Sequence, residues 1–253
     1  MDGGIYLLGI KSLKSKKFRE SMDIFFVEGE RFVGEIPENY EVLQYVLSDR
    51  YKKPSQKFSA RAKIQIVPDG VFSRLAETTT PQGIIAVVKK NHYTISDILD
   101  EKGFILVLEN VSDPANVGSL IRTASAANTG GVILTEGSAS VWNPKVQRAS
   151  AGSSLKIKIA QAPIGAVITQ LKKLHIPLYA AHPTGDTLPY TINLSKRFAL
   201  VVGSEAHGIS QTMKTEADKL IKLPMNKDIE SLSASVAGAV IMYEAVRQQT
   251  LIP

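Results

Sequence analysis

The sequence predicts an α/β protein: a small α/β domain followed by a mostly parallel sheet with helices on both faces. Three observations carry this. From Phe104 onward, short apolar runs alternate with helical periodicity, the pattern of strands joined by crossover helices. Three of those runs stop abruptly at Gly, Asn, Ser or Glu, as strands do where a sheet opens into a ligand crevice. The first 90 or so residues are charge-dense and of a different texture.

In the N-terminal part, 25–28, 42–47, 64–67 and 83–88 read as strands and Glu30 as the start of a helix. The polar stretch from Lys89 to Tyr93 follows the last of these and begins a linker. The boundaries expected are a domain over 1–92, a linker over 93–101 and a second domain over 102–253. In the second domain, strands fall at 104–109, 131–135, 156–160, 177–182, 198–203 and 219–224. Helices fall at about 115–128, 144–154, 163–175, 210–217 and 231–249. The last helix starts at Ser231, a favourable N-cap. Its Leu232, Val236, Ala239, Val240, Tyr243 and Val246 recur at helical spacing and predict one apolar face.

The chain has 253 residues, 44% of them hydrophobic and 21% charged, enough for one large or two modest globular domains. No apolar run approaches the roughly 18 residues that span a bilayer. The start, Met1-Asp2-Gly3-Gly4, lacks the pattern of a secretion signal or transit peptide, and a cytoplasmic protein is expected. The absence of cysteine excludes disulfides, thiolate nucleophiles and Cys-based metal sites. The net charge is +6, with cations clustered at Lys11, Lys14, Lys16, Lys17 and Arg19 and again at Arg50, Lys52, Lys53, Lys57, Arg61 and Lys63. These clusters are either a surface that tracks phosphates or plain solvated faces. No Gly-x-Gly is present, so the dinucleotide fingerprint is missing. The loop from Gly203 to Gly208 has phosphate-loop glycine spacing without the lysine, and Glu205 would repel a triphosphate. The four histidines (His92, His175, His182, His207) lack ligand spacing, so no metal is expected. There is no Gly-x-Ser-x-Gly elbow. What remains is chemistry without a metal or a covalent nucleophile.

The three strand ends can be read residue by residue. In the first, Asn116 stands at a helix entrance, and Gly118, Arg122 and Ser125 share one helix face. Arg122 suits an anionic group such as a phosphate, or equally a surface ion pair. In the second, Gly203 lets a ligand approach the backbone, and Glu205 either orients a donor or sits favourably near the 210–217 helix start. In the third, the backbone of Leu223-Pro224-Met225 can hydrogen-bond an adenine.

Together these segments resemble the three motifs of the SpoU-type (TrmH-like) RNA 2′-O-ribose methyltransferases of the SPOUT superfamily. The matching stretches are Asp113-Pro-Ala-Asn-Val-Gly-Ser-Leu-Ile-Arg-Thr-Ala124, Gly203-Ser-Glu-Ala-His-Gly-Ile209, and Ile221-Lys-Leu-Pro-Met225 with Ser231-Leu-Ser-Ala-Ser-Val-Ala237. Further upstream, Lys14-Ser-Lys-Lys-Phe-Arg19, Phe26-Val-Glu-Gly-Glu-Arg31 and Thr80-Pro-Gln-Gly-Ile-Ile-Ala86 are similar to the family's small, ribosomal-protein-like substrate-binding domain. The resemblance implies a C-terminal deep trefoil knot, a homodimer, and S-adenosylmethionine as cofactor. It implies cofactor contacts at Gly203, Leu223 and Leu232, with Thr135, Glu205, Ile221, Met225 and Ser231 nearby. RNA contacts are expected at Lys14, Lys16, Lys17, Arg19, Arg31, Lys52 and Lys53. The reaction implied is transfer of a methyl to a ribose 2′-oxygen, with Arg122, Asn116, Glu205 and Ser233 in the catalytic positions. A guanidinium stays protonated, so Arg122 suits binding a phosphate and steadying an alkoxide better than acting as base. Ser233 is the one departure, since the family usually has Asn there. Ribosomal RNA, 23S above all, is the favoured substrate. A transfer-RNA ribose methyltransferase, a non-catalytic RNA-binding relative and a small-molecule methyltransferase are the alternatives.

Overall fold

The structure, a computed structural model, describes residues 12, 15–52, 58 and 62–250. The chain divides into two compact units. One runs to Asn91 and also takes in Trp142–Arg148; the other comprises His92–Val141 and the chain from Ala149 on.

The first unit contains α1 (Lys16–Met22), β1 (Ile24–Glu28), α2 (Glu30–Gly34), β2 (Val42–Ser48), β3 (Lys63–Val67), α3 (Asp69–Leu75) and β4 (Ile84–Lys89). Its strands form one sheet in the order β1-β4-β2-β3. β4 runs antiparallel to both β1 and β2, and β3 runs parallel to β2. Phe26, Val46, Phe72, Ile85 and Val87 are buried together between sheet and helix. The register pairs Glu28 with Ile85, which brings the stretches around 26–31 and 80–86 side by side. There the Glu30 amide donates to Gln82 Oε1 and the Glu77 amide to Glu28 Oε2. Trp142 belongs to this unit through its ring, 4.5 Å from that of Phe25. Nothing local in the sequence signals that segment's return.

The second unit holds α4 (Ile95–Leu99), β5 (Ile105–Glu109), α5 (Pro114–Ala126), β6 (Gly131–Leu134), β7 (Ile159–Gln161), α7 (Ile164–Lys173), β8 (Leu178–Ala181), β9 (Ala199–Gly203), α8 (Gln211–Glu216), β10 (Lys219–Ile221) and α9 (Ala234–Thr250); α6 (Pro144–Ser150) spans the boundary between the units. The sheet order is β10-β8-β9-β5-β6-β7, and every pairing is parallel. All five residues of β5 are buried, as a strand covered on both faces requires. Ile105, Val107 and Val201 pack on one face with Ile98 of α4, Val167 and Leu171 of α7 and Met213 of α8. On the other face Gly238 of α9 meets Leu120 of α5 and Val202 of β9, and a Cβ at 238 would stand 2.5 Å from Leu120 Cδ2.

Four expectations are corrected. Residues 93–101 are not a linker: Thr94 and Asp97 form a capping box, and Ile98 and Leu99 are buried in the core. β10 ends at Ile221, and residues 222–233 lie outside any helix or strand. α9 begins at Ala234, so Ser231 is not its cap; the Val236 amide donates to Ser233 Oγ at 3.4 Å. The face α9 buries is Ala234, Gly238, Ile241, Met242 and Ala245, whereas Leu232, Val236, Val240 and Tyr243 are exposed. Small residues let α9 approach α5 closely, and that decides which face turns inward.

Candidate active site

Chain order reverses between β5 and β9. From β5 the chain builds outward through β6 and β7, then returns to build β8 and β9 on the other side. The crevice at the carboxyl ends of two such neighbouring strands is where open α/β sheets bind ligands. Glu109 and Gly203 are register partners at those ends.

The first strand end is built by a helix start. Asp113 is the N-cap of α5, its carboxylate accepting the Ala115 and Asn116 amides at 3.2 and 3.3 Å, and Pro114 fills the first turn. This fixes Asn116 in the first turn of the helix, where its Nδ2 donates to Glu205 Oε1. Val117, Gly118, Leu120, Ile121 and Ala124 are buried, so the helix cannot rotate without exposing its core face. Arg122 is exposed and has no ion pair or hydrogen bond among the described residues. Of its two readings, the surface ion pair is therefore not formed, and the guanidinium faces solvent with its donors unused.

The second strand end is a closed turn. Ser204 and Gly208 exchange both backbone hydrogen bonds, at 3.1 and 2.8 Å, and the His207 amide donates to Ser204 Oγ. Gly203 backs onto this turn so closely that a Cβ there would lie within 2.5 Å of the Gly208 carbonyl and the Ile209 amide nitrogen. Gly208 itself has φ +65°, the left-handed region that glycine enters without strain. Beneath the turn, buried Glu109 accepts the Ser210 amide at 3.0 Å and ties the end of β5 to the start of α8.

The third strand end completes a cavity of about 260 Å³. Its apolar walls come from Val202, Ile221, Leu223, Leu232, Ala237 and Ile241, and its polar rim includes Glu205, Glu230, His182 and His207. Of the expected cofactor contacts, Gly203, Glu205, Ile221, Leu223, Met225, Ser231 and Leu232 all line it. Thr135 does not. It is 3% exposed, and its hydroxyl accepts the Asn110 amide at 3.0 Å, so it fastens the end of β5 to the loop after β6. Ser233 is exposed beside the cavity and caps α9.

The composition of this cavity fits a flat, partly apolar, positively charged molecule. Aliphatic walls accept an aromatic ring system, and two carboxylates on the rim offset cationic charge. His182 keeps the rim from adding positive charge. Its Nδ1 accepts the Thr184 amide at 3.3 Å, and burial, with Lys214 nearby, lowers its pKa below the ordinary imidazole value. Reading the histidines only for metal spacing missed both His182 and His207 as cavity residues. The position of His207 inside the second motif was the available signal. Among the described residues no group of three or more His, Cys, Asp or Glu is placed to hold a metal ion.

The basic residues of the first unit divide. Lys16, Lys17, Arg31 and Lys52 are exposed. Lys14 and Lys53 lie outside the described residues. Arg19 is 3% exposed, its pKa lowered by burial, and its carbonyl accepts Lys90 Nζ, so it is a core residue rather than part of a charged surface. No helix among the described residues is long and apolar enough to cross a membrane.

Comparison with known proteins agrees with this arrangement. Residues 103–243 match the model of the SpoU rRNA Methylase family, and residues 8–86 match an MRM3-like substrate binding domain. The chain is 30% identical to the 23S rRNA (guanosine(2553)-2′-O)-methyltransferase RlmP of Bacillus subtilis, over 92% of either chain. The fold matches that of the SpoU methyltransferase AviRb from Streptomyces viridochromogenes, solved with AdoMet, at TM-score 0.90 and 23% identity over 99% of both chains. It also matches an AdoMet-bound rRNA methyltransferase from Sinorhizobium meliloti at TM-score 0.88 and 26% identity, over 98% of this chain and 95% of that one. With three motif ends gathered at one crevice and a family model covering more than half its length, this chain belongs to the SpoU rRNA methylase family.

Proposed function

We propose that the protein methylates a ribose 2′-hydroxyl of 23S ribosomal RNA with S-adenosylmethionine. The observation that carries this reading is the Asn116–Glu205 hydrogen bond, which joins the RNA-facing helix α5 to the turn that borders the cavity. The names of the relatives supply the substrate class: RlmP of Bacillus subtilis and RlmB of Xylella fastidiosa, 31% identical over 73% of this chain, are both named as 23S rRNA guanosine 2′-O-methyltransferases.

The cofactor occupies the cavity between the second and third strand ends. When bound it supplies an electrophilic methyl on a sulfonium. Leu223 and Met225 offer backbone to its adenine, and Glu205 and Glu230 offset its positive charge. Asn116 holds Glu205 in place. Arg122, with its donors unused, binds the phosphate beside the target ribose and steadies negative charge developing on the 2′-oxygen. Ser233 sets the start of α9 and with it the wall carrying Leu232 and Ala234. In that role it needs only the hydroxyl it has, which is why the departure from Asn is compatible with activity.

The first unit is the RNA-binding module, with Lys16, Lys17, Arg31 and Lys52 as phosphate contacts. The active form is a homodimer, and the exposed stripe of Val236, Val240 and Tyr243 on α9 is the surface a second copy covers. The C-terminal segment is knotted. The loop from His182 to Thr187 is laced to residues 220–222 by three backbone bonds, and a Cβ at Gly185 would collide with the Leu220 carbonyl, the close crossing a threaded chain needs. The site of action is the cytoplasm, where ribosomal RNA is exposed during assembly.

The test is methyl transfer from labelled S-adenosylmethionine to purified 23S rRNA, 16S rRNA and transfer RNA, followed by alkaline hydrolysis. Label in an alkali-resistant dinucleotide from 23S rRNA is expected. Label on a base, label in transfer RNA alone, or tight RNA binding with no transfer overturns the reading.

A further inference from the structure

The reading above leaves the 2′-hydroxyl proton without an acceptor. Arg122 stays charged and cannot take it. A group that can must border the cavity and reach solvent to pass the proton on. His207 meets both conditions. It lines the cavity together with Glu205, two residues before it on the same turn. That turn is fixed by both Ser204–Gly208 backbone bonds, by Ser204 Oγ on the His207 amide, and by the Asn116–Glu205 bond to α5. The His207 side chain is exposed, and among the described residues none of its ring atoms is tied up by a protein partner.

The other titratable groups around the cavity are less suited. Glu205 is engaged by Asn116. Glu230 lies in the loop after β10, outside the turn that Asn116 ties to α5. His182 stands at the end of β8, and its Nδ1 is occupied by Thr184. An imidazole changes charge near neutral pH and is the side chain most often used for general base work.

From this geometry we infer that His207 is the proton acceptor of the transfer. The 2′-oxygen takes the methyl carbon as the carbon–sulfur bond breaks and leaves its electron pair on sulfur. The O–H bond breaks in the same step, its electron pair stays on the new ether oxygen, and the proton passes to an imidazole nitrogen of His207. The exposed ring then releases that proton to water. Glu205, two residues away, steadies the transient imidazolium. This inference rests on the methyltransferase reading, and the experiment separates the two.

Single-turnover methylation rates of the wild type and His207→Gln are measured from pH 5.5 to 9, with calorimetric S-adenosylmethionine affinity of both as a second readout. The wild-type rate rises with pH and levels. His207→Gln slows by about a hundredfold or more, the range a positioned general base contributes. Its acid limb disappears, and its cofactor affinity stays within about twofold. Added imidazole restores part of the rate in His207→Ala. A variant within about threefold of the wild-type rate with the same acid limb overturns the inference, since loss of a general base costs far more. Loss of cofactor affinity in His207→Gln also overturns it, by making the residue a binding group. If the wild type itself transfers no methyl to any RNA while binding the cofactor, the reading beneath has failed instead.

Discussion

Replacing Gly203 with alanine tests the cavity at its tightest point. The new Cβ would lie within 2.5 Å of the Gly208 carbonyl and the Ile209 amide nitrogen, about 1 Å inside ordinary contact. Both obstacles are backbone, so no rotamer change relieves the clash. Relief requires the 204–208 turn to lift from the end of β9, and that turn carries Glu205 and His207 on the cavity rim. Forcing a methyl into a filled site costs up to about 3 kcal/mol. Expressed in the cavity, that is roughly a hundredfold in affinity. Gly208→Ala is the internal control. Among the described residues nothing stands within 4 Å of its Cβ, and the φ of +65° resists an L side chain, at about 1–2 kcal/mol. The assay is isothermal calorimetry with S-adenosylmethionine on both variants, with melting curves to confirm folding. Gly203→Ala is expected to lose far more affinity than Gly208→Ala. Wild-type affinity in Gly203→Ala, or the reverse order, would refute the account of the turn.

Further outcomes follow from the same geometry. Arg122→Ala should lower the transfer rate by at least about a hundredfold and leave cofactor affinity nearly unchanged, as separate calorimetric and single-turnover measurements can show. Val240→Asp on the exposed stripe of α9 should shift sedimentation from dimer to monomer without changing the helical signal. Lys16→Ala and Lys52→Ala, both at exposed positions, should each lower the slope of log affinity for RNA against log salt by about 0.7. Glu244 is held at a pKa of about 2, against an ordinary 4.5, by hydrogen bonds from Arg247 and then Gln248. A depressed carboxylate stabilises the fold above its unfolded pKa and loses that contribution as pH falls from about 4.5 through about 2. Glu244→Gln should therefore narrow the gap between urea midpoints at pH 7 and pH 3.

Much of the candidate site was legible because its residues cluster where strands stop. Gly203, Leu223 and Met225 stand at or just past the ends of apolar runs, where a parallel sheet opens into its crevice, whereas Leu232 was named only through the motif resemblance. Thr135 follows a strand too, yet β6 lies on the far side of β5 from the cavity, and strand order is invisible to local pattern. The last helix shows the same limit. Leu232, Val236, Val240 and Tyr243 have good helical spacing, but a second set, Ala234, Gly238, Ile241 and Met242, has it as well. Periodicity cannot choose between two apolar stripes. Packing did, because only the small residues let α9 come against Leu120 of α5. Arg19 reads as one more cation in a basic run, yet it sits on the inward side of α1 and is buried. The helix over Ile95–Leu99 was hidden because its cap, Thr94 with Asp97, continues a polar stretch.

The central claim is that the crevice beyond β5, β9 and β10 joins a cofactor cavity to an RNA ribose through Asn116 and Glu205. Its most direct test is 2′-O-methyl mapping of ribosomal RNA from cells with the gene, without it, and with Asn116→Ala in its place. The account predicts one 23S ribose methylated in the first and unmethylated in the other two. An identical map in all three, or a missing mark on a base rather than a ribose, would contradict it.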